Sequence, residues 1–258
     1  MDTLRAAISK VPAVTAGFWL IKILATTLGE TGGDTLSMTY DLGYLVSSAI
    51  FVVPLLVLIA LQIRARAFNP WLYWATILAS TMAGTTIADF ADRSLGIGYL
   101  GGMTILLALV LLSLLIWRLA MGTIGVESVV SPKAELFYWV TITLSQTLGT
   151  ALGDWAADDA GLGYLGGALV FGGALVLLVA LYRFTAVSRV TLFWAAFILT
   201  RPLGATVGDF LDKPLAKGGL DLSRPAATLV LGLTIVVLVA LLPQQAGSHP
   251  SRETPAGA

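Results

Sequence analysis

Long apolar stretches alternate with short polar connections along the whole chain. Eight of these stretches have about the 20 residues that a helix needs to cross a hydrocarbon core of about 30 Å. They lie near residues 13–31, 43–63, 70–88, 97–119, 135–153, 162–184, 190–209 and 225–243. The pattern predicts an all-α integral membrane protein with eight transmembrane helices.

An internal repeat runs through these stretches. Aligning four tryptophans places a glycine ten residues and an aspartate fifteen residues after each of them. The tryptophans are Trp19, Trp74, Trp139 and Trp194, the glycines are Gly29, Gly84, Gly149 and Gly204, and the aspartates are Asp34, Asp89, Asp154 and Asp209. Trp19 precedes Trp139 by 120 residues, and Trp74 precedes Trp194 by the same distance. The two halves are therefore predicted to be duplicated four-helix units.

Each repeat contains two predicted helices, so successive repeats should enter the membrane in the same, parallel orientation. We predict repeats at about 13–66, 67–122, 133–186 and 188–243, within a single transmembrane domain that covers 1–243. The four helices that run from Trp to Asp should lie inside, because their faces are small or polar, and the second helices should pack outside them. Residues 244–258 are polar and rich in Pro, Ser and Gly, which predicts a disordered cytoplasmic tail.

This arrangement resembles a family of bacterial membrane proteins made of four tandem two-helix repeats, each with a characteristic tryptophan, and catalogued without a function. The resemblance extends from about Phe18 to Leu242. It implies an eight-helix inner-membrane protein, but it implies no activity and assigns no functional residue.

Composition and charge narrow the classes of partner. Hydrophobic residues make up 57% of the chain and charged residues 12%, which is typical of a multi-pass protein whose partner is the lipid bilayer. The formal charge is zero, so no basic surface for nucleic acid is expected. The chain has no cysteine, and its single histidine, His249, lies in the predicted tail. Thiolate and imidazole sites within the membrane are therefore excluded. A homo-oligomer is compatible with these features.

Lysines and arginines predict the orientation. Nine lie at the termini and after even-numbered helices, namely Arg5, Lys10, Arg64, Arg66, Arg118, Lys133, Arg183, Arg189 and Arg252. Four lie in the opposite connections, namely Arg93, Lys213, Lys217 and Arg224. We therefore expect both termini in the cytoplasm of a bacterium and the chain in its inner membrane. The tryptophans, which lie near helix starts, are interpreted as structural anchors at the interface.

The aspartates carry the functional hypothesis, since ionisable residues within spans are costly and usually functional. They should lie at one depth near the outer surface, and Glu30 adds a fifth carboxylate one helical turn from Asp34. The predicted cation-binding and metal-ligating set is Glu30, Asp34, Asp89, Asp154 and Asp209. Carboxylates and hydroxyls suit hard ions such as Mn²⁺, Mg²⁺ and Ca²⁺, or protons and Na⁺. A divalent cation is thus expected as a substrate, with no tightly bound cofactor.

Three further polar residues on the inner helices are candidates for coupling or charge compensation, namely Lys22, Gln146 and Arg201. The inner helices alone carry five acids and two bases, a net charge of minus three that favours a cation. Arg201 is either a structural salt-bridge partner of Glu30 or an aspartate, or a tethered cation that substrate displaces. Lys22 is a candidate proton carrier.

The sequence therefore favours a transporter that exchanges a divalent metal cation for protons, and not an enzyme. A cation channel with a ring of carboxylates is one alternative. A non-catalytic scaffold or sensor is another. An intramembrane aspartic protease is disfavoured, because the Gly-x-Gly-Asp signature is absent at all four aspartates.

Overall fold

The structure is a computed structural model that describes residues 9–247, and this part of the chain is helical with no strand. Eight long helices occur in it as four consecutive pairs. They are α1 (Ala16–Asp34), α2 (Gly43–Arg64), α3 (Pro70–Asp89), α4 (Tyr99–Met121), α5 (Pro132–Asp154), α6 (Gly163–Phe184), α7 (Arg189–Asp212) and α8 (Arg224–Leu241). The predicted all-α class and the four repeats are confirmed.

The first helix of each repeat begins at a side-chain cap. The caps are Thr15, Asn69, Ser131 and Ser188, each of which accepts a hydrogen bond from the backbone N–H three residues later. Such caps satisfy donors that the first helical turn leaves free. Helices α1, α3 and α5 end at the repeat aspartate and continue into one π-helical turn, whereas α7 extends to Asp212.

The first helices form a closed inner ring in the order α1, α3, α5, α7. Each second helix packs outside the ring against the first helix of the following repeat, so α2 lies on α3, α4 on α5 and α6 on α7. Helix α8 completes the cycle by packing on α1. Every repeat is therefore covered by its predecessor, and no repeat buries its inner helix by itself.

The glycine ten residues after each tryptophan lies where two inner helices approach most closely. Each one contacts the residue seven positions after the tryptophan of the following repeat, in the pairs Gly29–Thr81, Gly84–Gln146, Gly149–Arg201 and Gly204–Thr26. A Cβ atom on Gly84 would lie 2.9 Å from the carbonyl carbon of Gln146, and backbone cannot move aside as a side chain can. The repeated glycine is thus a packing requirement of the ring.

Aromatic side chains fill the ring where the inner helices begin. The residue before each tryptophan is aromatic, namely Phe18, Tyr73, Tyr138 and Phe193. The hydroxyls of Tyr73 and Tyr138 lie 2.6 Å apart. Trp74, Trp139 and Trp194 are at most 3% exposed, so their interpretation as interfacial anchors is wrong. They pack against these aromatic rings instead.

The two ends of the described part of the chain meet beside this aromatic layer. The N–H of Ala13 donates to the carbonyl of Gln245 at 2.8 Å, and the N–H of Gly247 donates to the carbonyl of Val11 at 2.8 Å. The prediction of a disordered tail from residue 244 onward is therefore wrong for 244–247, because the N-terminal strand-like segment supplies backbone partners. Residues 248–258, including His249, lie outside the described residues.

Five of the helices are long and apolar enough to cross a membrane by length and composition, namely α2, α4, α6, α7 and α8. Helices α1, α3 and α5 have lower hydropathy because their inward faces carry buried polar residues such as Lys22, Glu30 and Gln146. The outer helices expose rows of leucine, isoleucine and valine. These features are those of a multi-pass membrane protein.

Because the inner helices approach closely at Gly84, we expect valine to destabilise the protein there but not at an exposed glycine. Gly84→Val should destabilise the protein by about 1–3 kcal/mol or more, since it overpacks the ring against backbone. Gly173→Val, on the exposed face of α6 with no neighbouring atom within 4 Å, should have little effect. The unfolding midpoint of each purified variant in detergent, followed by circular dichroism, measures the difference. Equal midpoints would show that the ring has room at Gly84.

Candidate functional site

The repeat aspartates converge where the inner helices end. All four are at most 3% exposed, although a polar connection follows each of them closely in the chain. Glu30, Asp34 and Asp209 form one group, in which one carboxylate oxygen of each residue lies within 4.8 Å of the others. Asp89 and Asp154 form a second group, joined by a shared cation. The structure thus brings together the five predicted carboxylates, but as two groups around the ring.

Lys213 connects two carboxylates of the first group. Its ammonium lies 2.6 Å from Oδ2 of Asp34 and 2.9 Å from Oδ1 of Asp209. Arg224 lies beside it, with Nε 3.2 Å from Oδ2 of Asp212 and 3.8 Å from Oδ2 of Asp34. These cations come from the connection between α7 and α8 and from the start of α8.

Arg93 connects the two carboxylates of the second group. Its guanidinium lies 3.2 Å from Oδ1 of Asp89 and 3.2 Å from Oδ2 of Asp154. It also donates hydrogen bonds to the hydroxyls of Tyr99 at 3.0 Å and Tyr44 at 3.1 Å. The planar guanidinium of Arg93 is therefore held from several sides by Asp89, Asp154 and two tyrosines.

The two groups are related by the duplication of the chain. Arg93 and Lys213 each follow their own repeat aspartate by four residues, and each reaches the aspartate of the next repeat. One cation thus connects the second repeat to the third, and the other connects the fourth to the first. Met38 and Asp158 occupy this position in the odd repeats.

Sequence reasoning missed the role of these cations, which it used only for orientation. The signal is present, however, because both even repeats carry Asp-Phe-x-Asp-basic, as DFADR at 89–93 and DFLDK at 209–213. The expected net charge of minus three covers the inner helices alone and leaves out the cations of the connections. With Arg93, Lys213, Arg224 and Asp212 included, six carboxylates contact four cationic side chains in the folded site. The connections fold back into the ring and bring these charges with them.

Neighbouring carboxylates keep the ammonium group of Lys213 charged. Burial by itself lowers the pKa of the Lys213 ammonium, but the carboxylates of Asp209, Asp34 and Asp212 outweigh this effect. The pKa of Lys213 is consequently raised well above its ordinary value. At neutral pH the site therefore contains a positive charge that is covalently attached to the chain.

Arg201 occupies the interior of the ring below the carboxylates. Its side chain is fully buried, and both terminal nitrogens lie 3.1 Å from Oε2 of Glu30. It also donates to the hydroxyls of Thr85 at 2.6 Å and Thr150 at 2.5 Å. Glu30, Thr85 and Thr150 hold the same position in the other three repeats, eleven residues after the tryptophan. Of the two roles considered for Arg201, the salt bridge to Glu30 is thus present.

Lys22 and Gln146 lie on the inner helices away from this ion pair. The Lys22 ammonium donates to the Thr200 hydroxyl at 3.3 Å and lies 4.2 Å from the centre of the Phe197 ring. Between residues 9 and 247, no carboxylate lies within 4.0 Å of it. Gln146 is fully buried, and its amide has no hydrogen-bond partner in the same part of the chain. Neither residue compensates a carboxylate by direct contact.

The buried ion pair of Arg201 and Glu30 predicts how the free energy of unfolding changes when one or both charges are removed. Arg201→Met should destabilise the protein by about 3–5 kcal/mol, because it leaves the Glu30 carboxylate buried without a partner. Adding Glu30→Gln to that variant should recover a large part of the loss, since the uncompensated charge is then gone. Unfolding of both variants in detergent measures this coupling. Additive losses in the double variant would show that the two charges do not depend on each other.

Comparison with known families agrees with the repeat seen in the structure. A family model described as "Repeat of Unknown Function (DUF347)" matches the chain four times, at residues 17–68, 72–123, 137–188 and 192–243. Each match begins two residues before one of the aligned tryptophans. No curated protein and no solved structure matches the chain. Because the four matches cover most of its length, the chain belongs to the family of DUF347 repeat proteins, a repeat of unknown function.

Proposed function

We propose that the protein is a membrane transporter that exchanges a hard divalent cation, of the Mn²⁺, Mg²⁺ or Ca²⁺ type, for protons. The observation that carries this proposal is the group of Glu30, Asp34 and Asp209, whose carboxylate oxygens converge within 4.8 Å while all three residues are buried. Oδ1 of Asp34 has no hydrogen-bond partner between residues 9 and 247. The group thus offers an unused oxygen as well as concentrated negative charge.

The donor atoms favour a hard cation. Carboxylate oxygens are preferred by Mn²⁺, Mg²⁺ and Ca²⁺, and the Thr85 hydroxyl lies 3.5 Å from Oε2 of Glu30 as a further oxygen. Carboxylates also bind protons when no metal is present. Proton exchange follows from this competition, since the same oxygens accept either a metal ion or protons but not both.

The membrane arrangement that fits this function has eight spans and four parallel inner helices. Two sets of contacts support it, because the aromatic residues at the starts of these helices meet one another and so do the carboxylates at their ends. Helices α1, α3 and α5 can then cross the membrane despite their polar faces, since those faces lie inside the ring and away from lipid.

Charge supports placing both termini in the cytoplasm of a bacterium and the carboxylate end at the outer side of its inner membrane. Seven described lysines and arginines lie at the aromatic end, namely Lys10, Arg64, Arg66, Arg118, Lys133, Arg183 and Arg189. Four lie at the carboxylate end, namely Arg93, Lys213, Lys217 and Arg224. The excess of lysine and arginine at the aromatic end supports a cytoplasmic position for that end under the positive-inside rule.

The filled ring favours a carrier over an open channel. The Arg201 guanidinium lies between three repeats, and the Tyr73 and Tyr138 hydroxyls meet further along the ring. An ion that crosses must therefore wait for side chains to move, as in a carrier with alternating conformations. A scaffold or sensor is less favoured, because buried carboxylates are costly to place in a membrane and usually mark a functional site.

Removing one carboxylate should abolish transport without unfolding the protein. Asp34→Asn keeps the size of the side chain but loses the charge that a cation requires. Uptake of Mn²⁺ into proteoliposomes should fall by at least about tenfold. Even the loss of a residue that only supports a metal ligand lowers metal affinity or activity by about tenfold or more, and Asp34 is proposed to be a ligand itself. A pH-sensitive dye inside the vesicles should report proton movement that falls in parallel.

Asp41→Asn is the matched control. Asp41 is exposed and has a φ of 55°, which asparagine adopts readily, so this variant should transport like the original protein. Retained flux in folded Asp34→Asn protein would remove the carboxylate group from the mechanism. Absence of flux of Mn²⁺, Mg²⁺ and Ca²⁺ in the unaltered protein would overturn the proposed function itself.

A further inference from the structure

The two ion-pair groups are equivalent by duplication, yet their cations are held differently. Arg93 contacts two carboxylates and is also hydrogen bonded to the hydroxyls of Tyr44 and Tyr99. Lys213 contacts two carboxylates, and no tyrosine hydroxyl bonds to it among residues 9–247. An ammonium is a compact charge on a flexible stem, whereas the planar guanidinium is fixed by several partners at once. Arg93 is therefore the more firmly held of the two.

One substitution between repeats explains the loss of one of the two tyrosine partners. The counterpart of Tyr44 is Tyr164, which is present but makes no hydrogen bond to Lys213 among residues 9–247. Tyr44, Tyr99 and Tyr164 occupy the position 25 residues after the tryptophan in the first three repeats, but the fourth repeat has Gly219 there. Backbone takes the place of the side chain, since a Cβ on Gly219 would collide with the carbonyl group of Lys213. The turn is closed by the N–H of Asp221, which donates to that carbonyl at 2.9 Å.

The two groups also differ in their number of carboxylates, which is larger where the cation is less firmly held. Glu30 adds a third carboxylate to the group of Asp34 and Asp209. At the equivalent position the other group has Thr150, a neutral hydroxyl that accepts from Arg201. The side with the less firmly held cation is thus the side with more carboxylates, and it is the side where three carboxylate oxygens converge.

Lys213 also has a route out of the site. It is the first residue after α7, and its side chain is 9% exposed. The residues that follow it, 214–218, are exposed, including Lys217. Rotation of the Lys213 stem would move the ammonium from the carboxylates toward this exposed connection.

We propose that duplication has produced two different ion pairs: Arg93 is a permanent strut between the second and third repeats, and Lys213 is a tethered cation that the transported ion displaces. A divalent cation that binds Glu30, Asp34 and Asp209 takes over the attraction that holds the ammonium, so Lys213 leaves. When the cation departs, Lys213 returns to Asp34 and Asp209. This inference rests on the proposed function, since it requires that a cation bind the carboxylate group.

Amine labelling tests the displacement directly. Purified full-length protein in detergent is treated with an amine-acetylating reagent at increasing Mn²⁺, and acetylation of each lysine is quantified by mass spectrometry. The labelling rate of Lys213 should rise by at least about tenfold at saturation, because a ligand shifts an equilibrium by its differential affinity for the two states. Exposed Lys217 in the same connection is the internal control, and its rate should stay constant. Mn²⁺ binding is measured in parallel from the loss of the free-ion paramagnetic resonance signal.

The two measurements separate the possible failures. Mn²⁺ binding with unchanged Lys213 labelling would overturn the displacement and leave the transporter proposal intact. Absence of Mn²⁺, Mg²⁺ and Ca²⁺ binding, the last two measured by calorimetry, would overturn the transporter proposal as well. Equal rises at Lys213 and Lys217 would show a general opening of the connection and would also contradict the displacement.

A matched pair of variants tests the division of roles. Lys213→Gln should bind Mn²⁺ about tenfold more tightly, since the competing internal cation is gone, and its melting temperature should rise when Mn²⁺ is added. Arg93→Gln should melt at a lower temperature than the original protein, with no gain in Mn²⁺ affinity. If Lys213→Gln does not fold, Lys213→Arg supplies the test, because a firmer internal cation should weaken Mn²⁺ binding. Similar gains in affinity for the Arg93 and Lys213 variants, or unchanged affinity when Lys213 is altered, would overturn the division.

Discussion

The structure depends on one constraint, which is that carboxylates buried at the end of a helical ring need positive partners. The partners come from the chain itself, and they arrive from the segments that immediately follow two of the inner helices. Arg93 and Lys213 each join the aspartate of their own repeat to that of the next. The ion pairs therefore hold neighbouring repeats together at the same place where the site has most of its negative charge, so stability and chemistry share the same groups.

Cyclic interlocking extends this dependence to the whole ring. Each outer helix covers the inner helix of the following repeat, and each glycine crossing joins one repeat to the next. Such an arrangement preserves equivalent positions while single residues diverge at them. Glu30, Arg201 and Gly219 are the departures that matter, because they break the equivalence of the two ion-pair groups. We propose that the two halves of the site differ so that one side binds a cation while the other side keeps the ring closed.

The sequence predicted the repeat, the helices and the inward aspartates, because periodic glycine and aspartate positions report directly on packing. It did not predict the ion pairs of Arg93 and Lys213, since charges in connections read as signals of orientation and their fold-back depends on π-helical and irregular turns. The burial of Trp74 was missed for a related reason: a tryptophan at a helix start has the same local pattern in a core and at an interface. Pairing of 244–247 with the start of the chain joins segments over 230 residues apart, which no local pattern reveals.

We propose that a divalent cation replaces the Lys213 ammonium among three buried carboxylates. Anomalous diffraction from crystals grown with Mn²⁺ would test it most directly, because the signal locates the metal independently of the surrounding side chains. We predict an anomalous peak between Glu30, Asp34 and Asp209, with the Lys213 side chain turned toward the outer connection. A protein with bound Mn²⁺ at another position, or with Lys213 still between Asp34 and Asp209, would contradict the account.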